Sequence, residues 1–216
     1  MSSARRPRVL LADDHLMVAE ALKSLLTPEF DLVGVVVDGR ALIEEVANLR
    51  PDVIVADVTM PHLNGIEALM RLRQDGDRTP VIFLTMHQDV TFARRALEAG
   101  ASGFVLKHSA PAELVTAIRA ALQGKTYLTP QLAGEVLETM KNGPERAADP
   151  VATLTLRQRE VLQLLAEGRS AKEIASSLDI STRTVEFHKY QMMETLDLHT
   201  NAELIHFAIK HGLVEL

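Results

Sequence analysis

Cysteine is absent from the 216 residues. That excludes disulfides, thiolate zinc sites and a cysteine nucleophile. Long apolar runs are missing too. The longest stretch without a charged residue, Thr79 to Gln88, has ten residues, too few for a transmembrane helix. Arg5, Arg6 and Arg8 lie near the start, but the apolar run behind them ends at Asp13 and Asp14, so no signal peptide is expected. The expected compartment is the cytoplasm. A basic excess is also lacking. The net charge is −6, so nucleic-acid binding would need a local patch rather than a global field. What remains, 47% hydrophobic and 24% charged residues, is an ordinary globular mixture in a chain long enough for one large domain or two small ones.

The first 124 residues alternate between short apolar runs and amphipathic segments. The runs are Val9–Ala12, Leu32–Val37, Val53–Ala56, Val81–Leu84 and Gly103–Leu106. Their length and β-branched content suit buried strands. Helical patterns cover Leu16–Leu26, Arg40–Asn48, Gly65–Gln74, Asp89–Ala99 and Pro111–Gln123. Five strand–helix units predict an α/β domain over 7–124, a five-stranded parallel sheet wound with helices on both faces. The rhythm breaks at 125–150, which reads as a flexible linker with a short helix over Gln131–Met140. From 151 to 216 the pattern is all-α. Thr155, Ser170 and Ser181 are placed to cap three helices, with Glu173 completing a capping box. A fourth helix spans Asn201–His211, where Leu204, Ile205, Ala208 and Ile209 form an apolar stripe.

Ligands of open parallel sheets bind beyond the carboxyl ends of the strands. The first strand ends in Asp13-Asp14, the third in Asp57 and the fourth in Thr85, and the fifth is followed by Lys107. Clustered carboxylates repel one another, and a divalent cation relieves that. All-oxygen ligation favours Mg²⁺. A phosphoryl group on Asp57 would then be neutralised by Mg²⁺ and Lys107 and would accept a hydrogen bond from Thr85.

The segments Leu10-Leu-Ala-Asp-Asp-His15, Asp57-Val-Thr-Met-Pro-His-Leu-Asn-Gly65, Leu84-Thr-Met86 and Gly103-Phe-Val-Leu-Lys107 together resemble a response-regulator receiver domain. The resemblance implies that Asp57 accepts phosphate from a sensor histidine kinase. It implies that Asp13, Asp14, Asp57 and the Thr59 carbonyl organise Mg²⁺, and that Phe104 follows Thr85 as a switch residue. Phe104 stands where Tyr is common, so its two rotamers can differ only in packing. His108 replaces a frequent proline, which leaves the isomer of the preceding bond open. Thr59 and His87 flank the phosphoryl position and carry neither carboxylate nor amide, a combination that implies slow hydrolysis. His15 and His62 lie near the mouth of the pocket.

In the second domain, Ala171–Leu178, Asp179-Ile180 and Ser181–Lys189 read as helix-turn-helix. The outer face of the second helix presents Thr182, Arg183, Thr184, Glu186, Phe187, Lys189 and Tyr190. Leu154–Gly168, Lys172–Ala175 and Thr184–His188 resemble the LuxR-type DNA-binding domain. With the receiver, this implies a response regulator of the NarL/FixJ type. That resemblance puts Ser181–Thr195 in the major groove, with Thr182, Arg183, Thr184, His188 and Lys189 on phosphates and Glu186, Phe187 and Tyr190 at base edges. It implies a homodimer, joined through Asn201–His211, on inverted repeats in double-stranded promoter DNA. It also implies that the recognition helix is masked at rest. The charge count pulls the other way: residues 151–216 hold seven Lys/Arg against nine Asp/Glu, a net of −2, where DNA-binding domains are usually basic.

The expected function is therefore transcription control by phosphorylation, without enzymatic turnover. Two other classes compete. An Mg²⁺-dependent phosphohydrolase would need a second acid two residues past its nucleophile, where Thr59 stands. A module binding another protein would explain the acidic second domain.

Overall fold

The computed structural model describes residues 5–86, 90–141 and 149–214. Parallel strands β1 (Arg8–Ala12), β2 (Asp31–Val36), β3 (Val53–Asp57), β4 (Val81–Thr85), β5 (Gly103–Leu106) and β6 (Tyr127–Leu128) form one sheet in the order β2-β1-β3-β4-β5-β6. The sheet has six strands, not five. The additional strand is a two-residue piece, too short to show any hydrophobic period.

Alternation along each strand sends neighbouring side chains to opposite faces. Val9, Leu11, Val53, Val55, Ile82 and Leu84 pack under α1 (Leu16–Leu26) and α5 (Ala110–Leu122). Leu10, Ala12, Ile54, Ala56, Phe83 and Phe104 pack under α2 (Gly39–Leu49), α3 (Gly65–Gln74) and α4 (Val90–Glu98). Both faces of the strands are covered, which is why they read as continuous apolar runs.

The stretch expected as linker contributes to this core. Leu132 and Val136 of α6 (Pro130–Lys141) are buried among the residues of the second layer. Burying an aliphatic side chain of that size is worth about 1.5–3 kcal/mol, enough to hold the segment on the receiver. Thr129 reinforces it: its N–H donates to the Phe104 carbonyl at 3.0 Å, and its hydroxyl oxygen accepts from the Leu106 N–H at 3.2 Å. Residues 142–148 of the expected linker lie outside the described residues.

The C-terminal domain consists of α7 (Leu156–Ala166), α8 (Ala171–Leu178), α9 (Thr182–Leu196) and α10 (Asn201–Lys210) around its own core. Thr155, Ser170 and Ser181 cap their helices as expected, each accepting from the backbone N–H three residues on. Thr200 and Glu203 form a further capping box before α10. No helix among the described residues is long and apolar enough to cross a membrane.

Candidate phosphoacceptor site and DNA-reading helix

The sheet order reverses direction between β1 and β3, the switch point where such sheets open a crevice. Asp13 and Asp57 leave those two strands side by side, and ligand atoms of Asp13, Asp14, His15 and Asp57 all lie within 4.8 Å of one another. Asp13 and Asp57 are buried, whereas Asp14 faces solvent. Lys107, just past β5, reaches both buried acids: its Nζ is 2.6 Å from Asp57 Oδ2 and 2.9 Å from Asp13 Oδ2. Burial pulls the ammonium's pKa down, but the attraction and hydrogen bonds of Asp57 and Asp13 outweigh it and hold the pKa above the usual lysine value. Lys107 is therefore a permanent cation at neutral pH. Thr85 is buried at the end of the neighbouring strand, and Phe104 is fully buried beneath it on β5.

Tight packing holds Asp57 at its strand end. A Cβ on Gly65 would lie 2.2 Å from the Asp57 carbonyl oxygen, so only glycine lets α3 start this close. Asn64 caps α3 by accepting from the Ile66 and Glu67 N–H groups. The intervening loop is sharply folded, with His62 at φ 66°. Thr59 lies in this loop and is buried. His15 Nδ1 is 2.9 Å from Asp14 Oδ1, so this histidine lies beside the acidic cluster with its side chain largely exposed. The bond before His108 is trans. His87 lies outside the described residues.

In the second domain the structure places Thr182, Arg183, Thr184, Glu186, Phe187, His188, Lys189 and Tyr190 on α9. The expected masking of this helix is not what the structure shows: Phe187 is 56% and Tyr190 64% exposed, and Thr182 and Arg183 face solvent. The receiver packs instead against α7 and the segment after α10. Lys189 is ion-paired with Glu186, and its Nζ lies 5.3 Å from the Tyr190 ring centroid. Burial, then the nearby Arg157 charge, lowers the His188 pKa. The α10 stripe is divided. Leu204 and Ala208 are buried in the domain's own core, while Ile205 and Ile209 are part-exposed.

Sequence reasoning missed the polar residues between the domains. Gln163 and Glu167, at the C-terminal end of α7, bond to the loop that contains Thr59. Arg159 on α7 and Glu67 on α3 are buried against each other.

Residues 9–119 match the response regulator receiver domain, and residues 152–208 match the bacterial regulatory proteins of the luxR family. The chain belongs to the response regulators, with a receiver joined to a LuxR-type DNA-binding domain in the NarL/FixJ arrangement, and is a transcription regulator. It is 32% identical to the response regulator UvrY of Escherichia coli K12, over 95% of this chain and 94% of that one. To the oxygen regulatory protein NreC of Staphylococcus epidermidis it is 33% identical, over 96% and 99%. A solved structure of the Salmonella typhimurium RcsB response regulator, described for conformational dynamism in DNA interaction, superposes with a TM-score of 0.65 at 26% identity, covering 96% of this chain and 98% of that one. A two-component response regulator of the LuxR family from Aurantimonas sp. is 38% identical over 63% of this chain and 99% of that one, with a TM-score of 0.60.

Proposed function

We propose that Asp57 is the phosphoacceptor of this regulator and that a sensor histidine kinase is the donor. The observation that carries this is the placement of the Asp57 carboxylate at the switch point, 2.6 Å from a lysine and beside Asp13. A carboxylate oxygen of Asp57 forms the bond to phosphorus as the donor's bond to it breaks, and the leaving group keeps the electron pair. Lys107 then meets the added phosphoryl oxygens, and Thr85 donates its hydroxyl to one of them.

The donor set fits Mg²⁺. Asp13, Asp14 and Asp57 bring carboxylate oxygens together, with no thiolate anywhere in the chain. These three and the Thr59 carbonyl would hold the ion, which supplies charge neutralisation at the phosphoryl group. No carboxylate or amide stands at Thr59 to orient an attacking water, which supports an acceptor with slow hydrolysis rather than a turnover enzyme.

Phosphorylation would act on a DNA-binding domain whose reading helix is α9. Arg183 and Lys189 are its only cations, so one copy neutralises few phosphates. Two copies on inverted half-sites, about 10 base pairs apart or a multiple of that, supply the missing contacts. Ile205, His206 and Ile209 on α10 are the part-exposed or exposed face left for that pairing. The working compartment is the cytoplasm, where promoter DNA and kinase are both accessible.

Incubation of the full chain with a small phosphodonor and Mg²⁺ should add one phosphate, and Asp57→Asn should abolish it. Full labelling of Asp57→Asn would overturn the assignment.

A further inference from the structure

The outermost ridge of α9 is aromatic rather than cationic. Val185 and Met192 turn into the core of the C-terminal domain and are fully buried. At about 100° per residue, Arg183, Phe187 and Tyr190 fall about 160°, 200° and 140° around the helix from Val185, on the side away from that core. All three are exposed. Lys189 falls on the flank, at about 40°, where its side chain is 14% exposed and ion-paired with Glu186. The ridge itself therefore holds one cation and two rings.

Both rings rest against neighbours on the helix. The Phe187 ring is tilted 58° against the His188 ring, with centroids 5.9 Å apart, and the Lys189 ammonium lies 5.3 Å from the Tyr190 centroid. Neither ring contributes to the core of its own domain. Two adjacent rings facing water form an apolar patch, and such patches mark contact surfaces.

On a helix that enters the major groove, one base group matches an apolar ring. The edges of guanine, adenine and cytosine present hydrogen-bond donors and acceptors there, whereas thymine adds its C5-methyl. Phe187 can pair with no donor or acceptor. Against any other base it would strip water from polar groups and give no hydrogen bond in return. Tyr190 has a hydroxyl that both donates and accepts, so its ring tolerates a polar edge and discriminates less. The two residues are about 4.5 Å apart along the helix axis, close to the 3.4 Å spacing of bases along a strand, which suits neighbouring base pairs.

We propose that Phe187 is a specificity-determining residue of this regulator and that the group it takes is the C5-methyl of a thymine in each half-site. The inference rests on the reading of α9 as the DNA-reading helix given above. Discrimination at that base pair comes from burial of a methyl group, while Arg183 and the flanking residues hold the helix on the backbone.

The test uses the full-length protein. Duplexes are selected from a random pool, and the selected sequence should carry a thymine at a fixed position in each half-site. The duplex is then remade with deoxyuridine at that position, which removes the methyl alone. Wild-type affinity, read by fluorescence anisotropy, should fall about threefold to fivefold per half-site, the scale of one methyl taken from water. Phe187→Ala should bind the thymine duplex more weakly and should not distinguish it from the uracil duplex. Phe187→Leu, which keeps an apolar side chain, should restore the distinction. A residue with only a structural role would lower affinity for both duplexes alike, so the coupling between side chain and methyl isolates the contact. Equal wild-type affinity for the two duplexes, or a methyl effect that survives in Phe187→Ala, would overturn the proposal. So would a change of oligomeric state in Phe187→Ala without DNA, which would assign the rings to a protein contact. A pool with no enriched sequence would instead defeat the assignment of α9 as the reading helix, and this inference with it.

Discussion

Glu67 on α3 and Arg159 on α7 form an ion pair across the domain boundary, with Arg159 Nη1 3.6 Å from Glu67 Oε1. The same Glu67 oxygen lies 3.3 Å from Arg95 Nη2, and Arg95 Nε is 3.2 Å from Asp149 Oδ2. All three of Glu67, Arg95 and Arg159 are buried. The network is therefore highly sensitive to losing one partner.

Glu67→Ala should open the molecule. Removing one member of a buried pair costs about 3–5 kcal/mol, because the remaining charge stays desolvated. Separation of the domains returns Arg159 to water and relieves that cost. Scattering should show a larger radius of gyration with both domains still folded; an unchanged radius and an unchanged melting temperature would contradict it.

Gly212→Ala should act at the other end of the interface. Gly212 has φ 63°, and a Cβ there would lie 1.9 Å from Cζ of the buried Phe92 on α4. The left-handed backbone and the clash both oppose alanine. Hydrogen exchange should accelerate in α4 and in the last turn of α10, while α8 and α9 keep their protection.

Lys107→Ala should leave some phosphorylation and abolish its effect on DNA binding. In the proposed function the lysine meets the phosphoryl oxygens, and a ligand shifts a conformational equilibrium only by its differential contacts with the two states. A variant whose DNA affinity responds to phosphate as the wild type does would show that Lys107 is not part of the switch.

Glu186→Gln should strengthen non-specific DNA binding. It releases Lys189 from its ion pair on α9, the proposed reading helix. One added phosphate contact per domain steepens the dependence of log K on log salt by about 0.9. Fluorescence anisotropy over a salt series reads this directly. An unchanged slope would mean that Lys189 does not reach the backbone.

Acid should destabilise the C-terminal domain before it affects the carboxylates. Burial depresses the His188 pKa, with Arg157 adding to the effect. Burial also depresses that of His211 against the opposing pull of Asp149, with smaller lowering contributions from Lys210 and Arg95. Both stay neutral in the folded state at pH values where the unfolded chain, with a histidine pKa of about 6.5, already binds protons. Stability is complete above that value and falls as pH drops through it toward the depressed folded values. Melting temperatures at descending pH should show this fall, and His188→Gln should flatten it.

Much of the site was legible because it is made by strand ends. Asp13, Asp14, Asp57, Thr85 and Lys107 each follow an apolar run, and the parallel topology implied by the strand–helix rhythm brings those ends together. Cap residues marked helix starts equally well: Thr155, Ser170 and Ser181 have side chains that satisfy otherwise unpaired N–H groups. The interface left no such trace. Gln158, Arg159, Glu160 and Gln163 are polar residues of α7, and all four are buried. Gln158 completes the capping box with Thr155 and Glu160 pairs with Arg157, but Arg159 and Gln163 face a charge and backbone groups of the other domain, a requirement that no local period encodes. The Leu132 and Val136 pair does have helical spacing, but Pro144, Pro150 and the charge-rich stretch around Glu145 dominated the composition there and suggested a linker.

The docking of α6 onto the sheet also fixes how far the second domain can travel. Only residues 142–148 separate Lys141 at the end of α6 from Asp149. Fully extended, that chain spans less than about 30 Å. A tether this short keeps a released DNA-binding domain at a local concentration on the order of millimolar around its receiver. Recapture is then intramolecular, and a partner must compete against that concentration rather than against the protein's dilution in the cell. If two receivers pair, their tethers keep both reading helices within reach of neighbouring major grooves, about 34 Å apart, so the spacing of the DNA half-sites would be set partly by where α6 ends.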